Sequence, residues 1–148
     1  MKLMHQVAAL AVLALALTSC ATSGPKIAEL RLPSVEATEL GRIYVYRVTA
    51  LGAAIQPTVY LNDVAVGKST PKGFFYVDRP AGAYTIRTST EVKRTLSLTL
   101  EPGQTRYVRL GVSIGFFVGH VYPELVDNAE GESQIRELHY TGETPPAS

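Results

Sequence analysis

The sequence predicts an all-β fold, an antiparallel β-sandwich of about seven to eight short strands with one short C-terminal helix. Three observations carry this reading. Turn residues recur about every 8–12 positions from residue 58 onward. The stretches between them are rich in β-branched and aromatic residues. Leu96, Leu98 and Leu100 alternate with Ser97 and Thr99, the pattern of a strand with one buried and one wet face.

The elements follow in order. Residues 41–49 make the first strand. Ile43, Val45 and Arg47 share one face and Tyr44, Tyr46 and Val48 the other. Neither face is plainly polar, so a central strand covered on both sides is expected. Residues 50–56, with Gly52, form a loop. Residues 58–61 and 64–69 are strands joined by Asn62-Asp63, a two-residue hairpin in which both residues tolerate positive φ. After a turn at Thr70-Pro71-Lys72-Gly73 come strands over 74–78, 83–90, 93–101 and 105–112. Gly82, between Pro80 and Tyr84, is expected to take positive φ where the chain reverses.

Residues 113–121, from Ser113 to Val121, are the least polar part of the chain after the N-terminal segment. They predict an eighth strand or a long hairpin arm. Phe116 and Phe117 are adjacent, so in a strand they point to opposite faces. One would enter the core; the other would be covered by Ile135 and Leu138 or meet a partner. Residues 127–138 are the helical candidate, with Asp127 or Asn128 as cap and Gly131 as its weakness. Residues 141–148, with Pro145-Pro146, read as a disordered tail.

The N-terminus has a different character. Lys2 precedes an unbroken apolar run over residues 7–17, followed by Thr18, Ser19 and the single cysteine, Cys20. A run this short reads as a signal-peptide core, since a spanning helix needs about 20 apolar residues. The ending Leu17-Thr18-Ser19-Cys20 resembles the lipobox of bacterial lipoproteins. That resemblance implies a diacylglycerol thioether on Cys20, cleavage before it, and acylation of the new amine by a fatty acid such as palmitate. Small residues ahead of the cysteine let a peptidase reach the backbone. The expected organisation is a signal peptide at 1–19, a lipidated cysteine and flexible tether at 20–40, a sandwich at 41–140 and a tail at 141–148. Ala21 stands where an aspartate would signal inner-membrane retention. The same resemblance therefore implies the outer membrane, facing the periplasm.

Removing residues 1–19 takes away one basic side chain, Lys2, and no acid, which leaves 13 basic side chains against 13 acidic ones. A balanced surface argues against nucleic acid. It also leaves the acyl chains, not charge, as the membrane attachment. One cysteine excludes an internal disulfide and a multi-cysteine metal site.

Several motifs, in order, carry a wider resemblance. They are Gly41-Arg-Ile-Tyr-Val-Tyr-Arg47, Val59-Tyr-Leu-Asn62 with Val66-Gly67, Pro80-x-Gly82-x-Tyr84, and Pro102-Gly103-x-x-Tyr107-Val108. From about Gly41 to about Leu138 the chain resembles an uncharacterised domain family of bacterial envelope lipoproteins, a domain of unknown function. Val66-Gly67-x-x-Thr70-Pro71 followed by Pro80-x-Gly82-x-Tyr84 is similar to β-sandwich surface-layer modules with a Pro-Glu-Gly-Ala signature. This chain has Arg-Pro-Ala-Gly-Ala at 79–83 instead. The resemblances imply the sandwich fold and no catalytic residue.

Candidate chemistry is sparse. Gly111-Val-Ser113-Ile-Gly115 matches G-x-S-x-G, with Asp127 and His139 following in hydrolase order. The residues after Ser113 are glycine-broken and aromatic, unlike the helix that a nucleophile elbow enters. His120 and His139 with Glu124 or Asp127 would be needed for a metal site, at no recognised ligand spacing. The eight tyrosines could stack on glycan or peptide, or line a core with the hydroxyl wet. Arg42, Arg47, Arg87, Arg106 and Arg109 read as strand-face or edge-protecting charges. The expectation is a non-catalytic, lipid-anchored binding or assembly module of the bacterial envelope, without cofactor or metal, and with a possible envelope protein partner at residues 113–121. The alternatives are a small serine hydrolase using Ser113 and a cell-wall or glycan-binding protein.

Overall fold

A computed structural model of the chain describes residues 22–36, 38–90, 94–115 and 119–142. Its strands are β1 (Leu40–Tyr46), β2 (Thr58–Leu61), β3 (Val64–Lys68), β4 (Gly73–Pro80), β5 (Gly82–Thr88), β6 (Thr95–Leu100), β7 (Thr105–Ile114), β8 (Gly119–Val126) and β9 (His139–Tyr140). Among the described residues one α-helix, α1 (Asn128–Ile135), precedes β9, and a 3-10 turn spans Ile27–Glu29. The strands form a five-stranded sheet, β8-β7-β1-β4-β9, and a four-stranded sheet, β3-β2-β5-β6. The all-β sandwich is as expected.

The four-stranded sheet is antiparallel throughout. The five-stranded sheet is mixed, where the sequence predicted antiparallel pairing. β1 runs parallel to β7, with Tyr44 beside Tyr107, and β4 runs parallel to β9, with Phe74 beside Tyr140. Parallel neighbours need a long crossover, and between β1 and β7 that crossover includes the whole second sheet. β1 is the central strand and is buried from Gly41 to Tyr46. Its Val45 pairs with Phe75, whose ring lies against Gly67 of β3, so this face meets the second sheet. The other face holds an aromatic layer. Tyr44 stacks on Tyr107 at 5.2 Å and 12°, and Phe74 meets Tyr140 edge-on at 5.6 Å. Helix α1 closes part of this layer: the Tyr46 hydroxyl donates to Gln134 Oε1 at 2.8 Å, and Ile135 and Leu138 are buried.

Local turn chemistry explains the joints. Asn62 and Asp63 take φ of 46° and 65°, the pair of positive values that a two-residue hairpin of this twist requires. Gly82 departs from expectation. It lies in β5 without positive φ, and a Cβ there would meet nothing closer than 3.8 Å. Gly103 supplies the left-handed residue instead, at φ 71° in the turn after β6. Asp127 caps α1 by accepting from Glu130 N at 2.9 Å. Gly131 is a close approach more than a weakness, because a Cβ there would meet the Tyr107 ring at 2.2 Å.

Residues 22–36 lie on the domain, where the sequence suggested a loose tether. Ile27, Leu30 and Leu32 pack on the core, and Val35 is buried. Backbone bonds fix the segment: Tyr140 N donates to Pro25 O at 2.8 Å, and Lys26 bridges to His139. At the other terminus Thr141 also joins the fold, its N–H donating to Phe74 O at 2.8 Å. The signal segment, Cys20, Phe116, Phe117 and residues 143–148 lie outside the described residues.

Candidate functional site

The candidate catalytic and metal sets do not come together among the described residues. Ser113 is exposed near the tip of the β7–β8 hairpin, paired in register with His120. Asp127 is the cap of α1, beyond the far end of β8. His139 lies on β9, three strands away from β7, roughly 14 Å of sheet spacing. Its Nδ1 is 2.7 Å from Gly24 O. The G-x-S-x-G stretch is the end of a strand, not a strand-to-helix elbow. No group of three or more metal-ligating side chains occurs among the described residues. Four of the eight tyrosines offered as a stacking face, Tyr44, Tyr46, Tyr107 and Tyr140, are buried. Burial raises the pKa of each, and pushes Tyr46 and Tyr107 up to about 12.

The structure assembles something else at the end of the sandwich where β1 stops and β4 begins. It is built around Arg47, which the sequence marked as a strand-face charge. Arg47 follows Ile43 and Val45 on the face towards the second sheet and is 0% exposed. No carboxylate neutralises it among the described residues. Its guanidinium donates to backbone carbonyls: Nη1 to Ile55 O at 2.7 Å and to Ser69 O at 3.2 Å, Nη2 to Gly52 O at 3.0 Å and to Leu51 O. Nε of Arg47 and Oγ of Ser69 are buried without a hydrogen-bond partner. Burial lowers the Arg47 pKa, since a charge held by neutral dipoles is less stable than one in water.

Arg47 thereby shapes the loop over residues 50–56. Four of its carbonyl contacts converge from two segments, which a neutral side chain could not draw together. Gly52 turns the loop at φ 65°, and Ile55 N closes it onto Gly52 O at 2.9 Å. Ile55 in turn lies against Gly119, where a Cβ would meet its Cδ1 at 2.1 Å, so the loop leans on the β7–β8 hairpin. Beside it the turn before β4 places Lys72 at φ 54°. Against this turn lies the first of the described residues: Thr22 Oγ1 donates to Pro71 O. A groove of about 1060 Å³ runs between Thr22, Pro71, Lys72, Ala53, Gln56 and Gly142.

Among the described residues, the loop over 50–56 and the turn over 69–72 at this end carry no carboxylate. Leu51 is 54% exposed and Ile114 57%, and Ala50, Ala53 and Ala54 are exposed. Lys68 and Lys72 are exposed as well. The opposite end carries Glu36, Glu39, Glu101 and Asp127. Of the expected partner surface, Ser113, Ile114 and Gly115 are exposed and Val121 is buried.

Comparison with known proteins adds a family without an activity. Residues 37–121 match the family described as "Protein of unknown function (DUF2846)". A protein of Haemophilus influenzae, named "Uncharacterized protein", is 33% identical over 98 residues, which are 66% of this chain. The match spans 58% of that relative's length. No solved structure matches the chain. These findings bear on the first resemblance; they do not touch the Pro-Glu-Gly-Ala modules.

Proposed function

The chain belongs to the DUF2846 family, and from that premise we propose that it is a lipid-anchored lipoprotein of the bacterial envelope whose sandwich is a non-catalytic binding or assembly module. The carrying observation is in the sequence. An apolar run over residues 7–17 ends at Leu17-Thr18-Ser19-Cys20, and Cys20 is the single thiol of the chain. Two acyl attachments on one residue make a stable anchor where a single chain is marginal. Ala21 after the cysteine favours the outer membrane, facing the periplasm. The scattered positions of Ser113, Asp127 and His139 favour a module without hydrolase chemistry.

Growth with a radiolabelled or clickable fatty acid tests the anchor. The wild-type protein should carry the label and sediment with membranes, and Cys20→Ala should lose both. An unlabelled wild type would overturn the proposal.

A further inference from the structure

We infer that the Arg47-shaped end of the sandwich is a lipid-facing surface, held flat against the bilayer by the anchor; this rests on the reading of Cys20 as the lipidated residue. The first support is reach. Cys20 lies two positions before Thr22, and two residues span at most about 7 Å. Thr22 is bonded to Pro71, and the next residues are bonded to β9 through Pro25 O and Gly24 O. No slack is left between lipid and domain, so the groove between Thr22, Pro71 and Lys72 is drawn to the headgroups.

The second support is the chemistry of that end. Leu51 and Ile114 are among the most exposed large apolar side chains of the described residues. Around them the segments 22–25, 50–57, 68–73 and 138–142 contain no carboxylate, while Lys68 and Lys72 are free to lie along the surface with their amines at phosphate depth. Of the nearest charges outside these segments, Lys26 is paired with Glu137 at 3.5 Å, and Glu91 and Glu143 lie outside the described residues. The acidic turns at Glu36, Glu39 and Glu101 are at the far end, where an anionic surface would not repel them. A third support is that the loop keeps its shape from within. Arg47 holds four carbonyls inward, so the loop turns Leu51 and the alanines outward without exposing those polar groups to the interface.

The single native cysteine makes the test clean. Full-length protein would be purified from membranes and placed in phosphatidylcholine vesicles, with and without phosphatidylglycerol, using Leu51→Cys, Ala53→Cys and Glu101→Cys variants labelled with an environment-sensitive thiol dye. Lipid-borne quenchers should dim the dye at Leu51→Cys and Ala53→Cys several-fold more than at Glu101→Cys. Equal quenching at the two ends, or stronger quenching at Glu101→Cys, would overturn the inference while leaving the anchor intact. Quenching in native membranes but not in pure lipid vesicles would assign this end to a protein partner and likewise overturn it. Thiol labelling of the wild type itself would show a free Cys20 and remove the lipoprotein reading beneath it.

Discussion

An arginine is buried near each end of strand β1, and the two are held in different ways. Near its start, Arg42 is 5% exposed and forms a two-pronged pair with Asp78, Nε to Oδ1 at 2.7 Å and Nη2 to Oδ2 at 2.8 Å. It also donates to Pro33 O at 2.9 Å and stands 4.4 Å over the Tyr76 ring. Burial, the largest single influence, lowers its pKa, but hydrogen bonding and charge attraction from Asp78 and Tyr44 together outweigh it and the net shift is upward. Just past the strand's end, Arg47 has carbonyls alone, and its pKa falls. The first arginine belongs to a charge pair that cross-links neighbouring strands. The second organises loop backbone from two segments. The comparison teaches that burial of the same side chain can serve the sheet at one end and shape a surface at the other.

The largest expected effect tests the Arg47 end. Arg47→Met should cost about 3–5 kcal/mol, because it leaves several buried carbonyls without a donor at about 1–3 kcal/mol each. A denaturant melt measures it. The relief of burying a charge works in the other direction, so a loss below about 1 kcal/mol would mean that the carbonyls find other donors.

A smaller effect is expected at the Arg42 end. Arg42→Met leaves Asp78 unpaired, but the Asp78 side chain is 21% exposed and reaches water. The loss should be about 2–3 kcal/mol. Adding Asp78→Asn should recover part of it, giving a double variant less destabilised than the sum of the two singles. Additive losses would break the contrast, since they would mean that the pair is no unit.

The smallest effect vanishes at neutral pH. Tyr46 and Tyr107 ionise near pH 12 in the folded protein because burial disfavours the phenolate. In the unfolded chain they ionise near pH 10. A raised folded pKa gives stability that is full below the unfolded value and lost as pH climbs through the folded one. The melting temperature should therefore hold to about pH 10 and fall between there and pH 12. Tyr107→Phe should make that fall shallower; an unchanged slope would place the loss elsewhere.

Much of this was legible in the sequence, for local reasons. The hairpin at Asn62-Asp63, the cap at Asp127 and the core pair Ile135 and Leu138 follow from turn chemistry, capping and spacing, which act within a few residues. The burial of β1 on both faces followed from its lack of a polar side. Pairings that depend on distant chain were not legible. The parallel partners of β1 and β4 come from segments about 60 residues further along, and nothing within β1 specifies direction. The path of residues 22–36 was missed because Ile27, Leu30 and Leu32 lack a strand or helix period, although three apolar residues beside Pro33 did signal a surface to cover. Arg47 was missed because its partners are carbonyls, which leave no mark in a sequence. Its one trace was the company of Ile43 and Val45 on a face that must be buried.

Hydrogen exchange on matched Arg47→Met and Arg42→Met variants tests most directly whether Arg47 shapes the outward loop. If it does, Arg47→Met should speed exchange at the Ile55 amide, which closes the loop onto Gly52, and at Ser69, whose amide is bonded to Pro57, while Arg42→Met leaves both near the wild-type rate. Equal loss of protection at these amides in the two variants would contradict the account, because the loop would then depend on global stability and not on Arg47.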